Sequence, residues 1–326
     1  NPNKKINCYT IKTESIGGFT DDLFYAKKVA EHLDVNLIIV EAKSDILEYF
    51  DKVIYHLDEP QADPAPINVF NICKEARKDG IKVLIGGTAG DDLFSGYRRH
   101  QALKIESAIE KTPLVLRKLV KNTFKKFDSK KPFVRRVNKL SANIEKTKEE
   151  RMMGYFSWIN EDTLKNLFLE QNKYDCFTYF KQLNKSIPEE TSDLNKMLFW
   201  ELNTFLADHN LNYTDKLSMA TGVEVRVPFL DTELVEFSTK IPPEYKWKET
   251  KYLLKKAAEK YLPNEIIYRP KTGFGAPVRE WILNEMDFLI KDYLSEKSIK
   301  ERGVFDYQKV ALLIDENRKG TVDASY

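Results

Sequence analysis

Hydrophobic and polar positions change period several times along the first hundred residues. KINCYTIK (5–12) carries Ile, Tyr and Thr and reads as a strand. In TDDLFYAKKVAEHL (20–33) the period becomes helical: Leu23, Ala26, Ala30 and Leu33 recur along one face. Thr20 is a candidate N-cap there, with acidic residues in the first turn. VNLIIVE (35–41) predicts a second strand and SDILEYFDKVIYHL (44–57) a second amphipathic helix. NVFNICKEARKDG (68–80) predicts a third helix, ended by Gly80. IKVLIGG (81–87) predicts a third strand, apolar on both faces. Strand, helix, strand, helix, helix, strand is the order of a parallel sheet covered by helices, an α/β fold. From about residue 100 strand patterns fade and charged amphipathic segments dominate. The expected organisation is an α/β core over 1–100 and a largely helical region over 101–326, without internal repeats or low-complexity tracts.

Composition narrows the class. The chain has 326 residues, 42% hydrophobic and 31% charged, which is ordinary for a globular protein. Lys and Arg number 52 against 50 Asp and Glu, so no global field favours nucleic acid or anionic lipid. The basic run KNTFKKFDSKKPFVRRVNK (121–139) is a local exception. Two phenylalanines interrupt it and no nucleic-acid motif surrounds it, so a solvated helix face and connecting loop explains it better than a nucleic-acid patch. Cys8, Cys73 and Cys176 are widely spaced, and the four histidines lack ligand spacing. That argues against a zinc site or disulfide framework and for a reducing compartment. With neither a signal peptide nor an apolar run near 18 residues, the expectation is a cytoplasmic protein with no membrane and no nucleic-acid partner. A start at Asn1 and an end at TVDASY suggest a piece of a longer protein.

The candidate chemistry lies in KVLIGGTAGDDLFSGYRR (82–99). Ligands of parallel α/β sheets bind outside the carboxyl ends of the strands, and this stretch is such an end. Gly86, Gly87 and Gly90 allow close backbone approach, and N–H groups of the turn can face an anion. Asp91 and Asp92 repel a bare phosphate unless a divalent cation intervenes; Mg²⁺ is such an ion, held by few carboxylates and by phosphate oxygens. The stretch therefore reads either as a magnesium–nucleotide turn or as a plain strand–turn–helix junction whose aspartates favour the helix dipole.

Three further stretches, LDEPQADPAP (57–66), TDKLSMATGVEVRVPFLD (214–231) and RPKTGFGAPVREW (269–281), follow in an order that resembles the synthetase domain of glutamine-dependent asparagine synthetases. The resemblance covers nearly the whole chain, and VEVRVPFLD is its most specific part. It implies a parallel nucleotide-binding fold of the ATP-pyrophosphatase (adenine nucleotide alpha hydrolase-like) type followed by helices. It also implies ATP and Mg²⁺ as cofactors and amidation of a small-molecule carboxylate through an acyl-adenylate. A glutaminase domain, or ammonia itself, is the implied nitrogen donor, and a homodimer is compatible with it. By the same resemblance Asp91 is the Mg²⁺ ligand, and Lys271 contacts the phosphates and the developing charge. Ile11, Gly86 and Gly87 line the ATP site, and Thr88 with Asp92 faces the acceptor. Asp58 and Glu59 are expected to cap or brace the site, Arg226 to be a buried pairing residue, and Asp231 to be an N-cap. Asp215 and Lys216 are expected on a cleft-facing helix, in salt bridges or on substrate.

Two departures qualify the resemblance. The SGGxDSS pyrophosphate loop of the family lies upstream of the segment matching KINCYTIK, so ATP turnover by this piece alone is expected to be weak or nil. Thr88 stands where asparagine synthetases carry an acidic residue and lactam-forming relatives carry Tyr. Thr is no base at neutral pH and is small. The expected reaction is aspartate to asparagine; the alternatives are amidation of another carboxylate, such as a sugar uronic acid in surface-polysaccharide biosynthesis, and a non-catalytic scaffold.

Overall fold

The computed structural model describes residues 5–12, 22–41, 46–59, 61–124, 137, 140–141, 143–159, 161–170, 175–269, 278–284, 286–322 and 324. The chain forms two compact units, each built from two stretches: Asn1–Gly96 with Glu201–Glu280, and Tyr97–Trp200 with Trp281–Tyr326.

The first unit holds the strands. β1 (Asn7–Lys12) and β2 (Asn36–Glu41) are parallel, in register from Asn7 opposite Asn36 to Lys12 opposite Glu41, and are joined through α1 (Leu23–His32). α2 (Ile46–Leu57) and α3 (Ala65–Lys78) follow, then β3 (Val83–Ile85). β3 pairs in parallel with β4 (Glu224–Arg226), a strand inside the stretch whose pattern predicted helices. Among the described residues the parallel pairing comes as two two-stranded sheets, where the alternation of elements predicts one sheet.

Helices tie the two pairs together. α3 packs on β1 and β2, while the helix Asn212–Met219 packs on both α3 and β4. These two helices run parallel. Just before them His209 Nε2 lies 3.3 Å from Asp63 Oδ2; at the other end a Cβ on Gly222, past the second helix, would lie 3.8 Å from Arg77 Nε in the last turn of α3. Between α2, α3 and Asn212–Met219 lies a core of Val53, Leu57, Phe70 and Leu217. Burying such side chains is worth about 1.5–3 kcal/mol each and is the main force holding this layer.

Local details follow the sequence unevenly. Gly80, at φ +77°, ends the third helix, and the N–H of Ile81 donates to Ala76 O at 2.9 Å. α1 buries Leu23 and Ala30 as its period requires, but Leu33 lies past the helix end and is 48% exposed. Asp22 occupies the cap position without a side-chain cap bond, and Thr20 lies outside the described residues. β3 is not buried on both faces: Val83 and Ile85, which share one face by strand alternation, are 41% and 76% exposed.

The first unit also buries a lysine. Lys246, in the helix Pro243–Trp247, is 3% exposed, and burial pushes its amine down to about 8. A folded-state value below the unfolded one means that protonation opposes folding, so stability rises as pH climbs from about 8 towards 10.5. Lys246→Met should therefore raise stability at pH 7 by about 3 kcal/mol, and this gain should fade by pH 10.5. Urea unfolding at both pH values checks it.

The second unit is helical. The helix Lys148–Gly154 opens on a capping box between Thr147 and Glu150. Its Arg151 donates from Nε (2.9 Å) and Nη2 (2.7 Å) to Glu106 Oε2, and from Nη1 to Lys146 O at 2.8 Å. The Tyr155 hydroxyl donates to Glu106 Oε1, so both carboxylate oxygens are engaged. Nearby, Trp200 is fully buried, meets Phe156 and Phe180 edge-on, and donates its indole N–H to Asn184 Oδ1 at 2.8 Å.

Candidate active site

The turn after β3 is built from close backbone contacts. The N–H of Gly86 donates to Arg226 O at 2.8 Å, extending the β3–β4 ladder by one step. A Cβ on Gly86 would come within 3.3 Å of Val225 Cγ1, so any side chain there would press on Val225. Gly87 is exposed, and a Cβ added to it would meet no atom within 4 Å. Ile11, near the end of β1, is buried opposite Val40.

The chain then enters a short helix, α4 (Gly90–Leu93), through a strained residue. Ala89 sits at φ +73° and Ser95, just beyond the helix, at φ +57°; both are buried. A left-handed conformation costs a non-glycine residue about 1–2 kcal/mol, while glycine costs about 0.5–1 kcal/mol more in chain entropy. Ala89→Gly should therefore stabilise the protein by about 0.5–1 kcal/mol, read as a small rise in thermal midpoint.

Gly96 closes the turn. Its N–H donates to Asp91 O at 2.8 Å, and a Cβ there would overlap the Asp91 carboxylate. Asp91 is thus laid across a glycine. Its Oδ1 lies 3.3 Å from Lys251 Nζ, and both side chains are about a third exposed or less. Lys251 is held to the same turn by its backbone: at φ +56°, its N–H donates to Phe94 O at 3.1 Å. No motif singled out Lys251, because only the fold brings residue 251 to residue 91.

Asp91 is a sound donor for Mg²⁺, which keeps phosphate and water ligands and needs few carboxylates. Thr88 and Asp92, expected together at the acceptor, differ in setting. Thr88 is half-buried, whereas Asp92 is completely buried. Burial, with the charges of Asp63 and Asp92, pushes the Tyr213 hydroxyl well above its ordinary range.

In the LDEPQADPAP segment, Leu57 and Asp58 meet the helix Asn212–Met219. Asp58 adopts φ +63° and is exposed; Lys216 Nζ donates to Leu57 O at 2.8 Å and lies 3.9 Å from Asp58 Oδ2. Glu59 is exposed, and its charge adds to burial in raising Asp208. Asp63 Oδ1 accepts the Ala65 N–H at 2.9 Å, starting α3. Burial raises the Asp63 carboxyl against the opposing pull of that bond and of His209. The His209 ring stacks on Phe205, with centroids 4.6 Å apart, inside the π-helical segment Leu202–Leu211. Such wide turns often mark functional sites.

In EVRVPFLD the structure corrects one expectation and meets another. Arg226 is not buried: its side chain is 63% exposed and donates to Glu224 Oε1 at 2.8 Å. Strand alternation puts Glu224 and Arg226 on one outward face, leaving Val225 against Gly86. Asp231 does cap the helix Thr232–Lys240, accepting from the N–H groups of Glu233 and Leu234. Asp215 is exposed. Lys271, with Gly273 and Gly275, lies outside the described residues.

In the second unit, donor atoms of Glu161, Asp175 and Cys176 lie within 4.8 Å of one another. Lys146 and Lys165 already pair with Glu161, and Lys181 with Asp175. Those lysines make the cluster a charge network.

Over 297 residues the chain is 31% identical to asparagine synthetase (glutamine-hydrolyzing) 1 of Bacillus subtilis, covering 88% of this chain and 46% of that protein. It is 24% identical over 279 residues to asparagine synthetase (glutamine-hydrolyzing) 3 of the same organism, covering 80% and 39%. It is 23% identical over 327 residues to amidase chyE of Penicillium rubens, covering 93% and 48%. The chain thus spans less than half the length of these relatives. The asparagine synthase family profile matches residues 2–326, and the chain belongs to the asparagine synthase family.

Proposed function

We propose that this chain is the synthetase part of an ATP-dependent ligase that amidates a carboxylate through an acyl-adenylate. The observation that carries the reading is Asp91, laid over Gly96 and paired with Lys251 at the carboxyl end of β3. Bound Mg²⁺ supplies charge neutralisation of the triphosphate, and Asp91 is the residue that holds it. A substrate carboxylate oxygen attacks the α-phosphorus of ATP and pyrophosphate leaves. Ammonia then attacks the acyl carbon, AMP leaves with the former carboxylate oxygen, and the nitrogen loses a proton. Ile11, Gly86 and Gly87 flank the nucleotide. The Gly86 N–H is engaged by Arg226, so that glycine serves by close approach rather than by donation. Lys251 neutralises Asp91 before the nucleotide arrives and then lies beside its phosphates.

Lys271 supplies positive charge to the pentavalent phosphorus and the departing pyrophosphate. Lys271→Ala is therefore expected to lower turnover by about 10²-fold or more while changing ATP affinity far less. Pre-steady-state nucleotide binding beside steady-state rates checks this, and a change confined to affinity would make Lys271 a binding residue.

The acceptor in this reading is aspartate, with ammonia drawn from glutamine by a glutaminase domain, in a cytoplasmic enzyme that is compatible with a homodimer. A second acceptor is favoured by one observation: the half-buried Thr88 is neither acidic nor bulky. That leaves room for a larger carboxylate such as a sugar uronic acid. The deciding experiment measures AMP and pyrophosphate release by the full-length gene product with ATP, Mg²⁺ and ammonia, across aspartate and several uronic acids. Release with aspartate alone selects asparagine synthesis, and release with a sugar acid selects polysaccharide modification. Silence across the panel from folded protein would reject the ligase reading in favour of a scaffold.

A further inference from the structure

Asn68 lies near the start of α3 and is 1% exposed. Among the described residues, neither its carboxamide oxygen nor its nitrogen has a hydrogen-bond partner. A buried amide unpaired at both ends is costly, and native proteins rarely keep one without a ligand or water to meet it.

The neighbours of α3 show which way this side chain turns. Phe70 packs in the core shared with α2 and Asn212–Met219, with Ile67 and Val69 beside it. At 100° per residue Asn68 lies on the opposite side of the helix, on one stripe with Ile72, Glu75 and Asp79. β1 faces that stripe. The Tyr9 hydroxyl donates to Asp79 Oδ2 at 2.7 Å, and burial, that bond and the charge of Glu75 push the hydroxyl up to about 12. Asn68 lies about 16 Å from Asp79 along the stripe, towards the start of α3. Helices of a parallel α/β unit run against the strands, so this is the direction in which β1 ends, at Ile11 and Lys12. The turn after β3 lies at the same end: Asp63, before α3, meets His209 in Leu202–Leu211, and that segment also packs on α4. Asn68 therefore sits where ligands of such sheets bind.

The chemistry of the amide narrows the ligand. A carboxamide sets a donor beside an acceptor in one plane and carries no charge. Phosphate and carboxylate call for a cation, and the turn after β3 has one in Lys251. The uncharged part of ATP is its base. Adenine sets an amino donor beside a ring-nitrogen acceptor, the edge that Asn pairs with through two bonds. Its flat apolar face suits a buried aliphatic side chain such as Ile11. A single hydroxyl of the acceptor would leave one end of the amide unpaired.

We infer that Asn68 reads the adenine base of ATP, its oxygen accepting from the exocyclic amino group and its nitrogen donating to the adjacent ring nitrogen. The inference rests on the ATP-dependent reading above and adds a specificity-determining residue to it.

The test is equilibrium nucleotide binding by the full-length gene product with Mg²⁺, which needs no turnover. The probes are ATP and purine riboside triphosphate, which lacks only the amino group. The parent should bind ATP about tenfold more tightly, the size of one buried hydrogen bond. Asn68→Leu should weaken ATP binding about tenfold or more and shrink the preference to about twofold or less. Its thermal midpoint without nucleotide should not fall, since the amide it replaces is unpaired there. Asn68→Ala, which adds no bulk, should repeat the loss of preference. Equal affinity of the parent for both nucleotides would overturn the inference and requires no variant. So would variants that keep the parent's ATP affinity, or whose only change is a higher KM for the acceptor. Absent amidation with the ATP preference intact would sink the ligase reading and leave Asn68 in its role. A folded protein that binds neither nucleotide would sink both.

Discussion

Asp91→Asn is expected to lower ATP-dependent pyrophosphate release by about 10²–10³-fold, the size of effect seen when a group poised on transition-state charge is lost. The amide keeps the shape of the side chain but not its charge. It still fits over Gly96, where any Cβ would overlap it. It gives up the attraction to Lys251 at 3.3 Å and the means to hold Mg²⁺ against phosphate. The fold should be nearly indifferent. The ion pair is partly exposed, and such pairs contribute about 0–1 kcal/mol. The distinguishing result is thus a large kinetic loss with an unchanged unfolding curve. Near-normal pyrophosphate release from the Asn variant would remove Asp91 from the chemistry and leave it a structural partner of Lys251.

Glu106→Leu should do the opposite, damaging stability before chemistry. Glu106 and Arg151 are 1% and 2% exposed, and the carboxylate also accepts the Tyr155 hydroxyl. Burial comes first, and the bond to Glu106 second, in pushing that hydroxyl far above its ordinary range. Removing the carboxylate leaves a buried guanidinium with, among the described residues, only Lys146 O as partner, and a buried hydroxyl without the acceptor it had. A broken buried pair costs about 3–5 kcal/mol, a large share of the stability of an ordinary domain. Glu106→Leu combined with Arg151→Met, which removes both charges, should recover much of that loss. Urea titration of the two variants separates the cases, and a single variant within about 1 kcal/mol of the parent would show that Arg151 finds water or another acceptor.

How much of this was legible in the residues depends on how far apart the partners lie. β1, α1, β2, α2, α3 and β3 were readable because each is set by its own period and by local stops such as Gly80. The Asp231 cap was readable for the same reason, since its partners are two and three residues away. The glycine turn announced itself by composition, and the placement of Asp91 over Gly96 gives that composition a reason. What could not be read was set by distant pairing. Three residues of β4 carry too little pattern to stand out among helices, and only pairing with β3 makes them a strand. Arg226 looked like a buried partner because its motif is specific, but motif specificity carries no information about which face of a strand points outward. Lys251 sits among several lysines of similar neighbourhood, and nothing local separates the one that reaches Asp91. The burial of Asn68 was equally hidden, since a helical period marks the apolar face of α3 but not what covers the opposite side.

The pairing of β3 with β4 also bears on how the protein is made. Between these two strands the ribosome delivers Tyr97–Trp200, which belongs to the second unit. During synthesis β3 therefore emerges long before the strand that zips to it exists. Long-range parallel pairing is slow because the loop must close before the contact rewards it, and unpaired strand edges are where nascent chains stick to one another. The half-made first unit is thus a natural client for a chaperone. Slow translation across residues 97–200 would lengthen its exposure rather than help it fold.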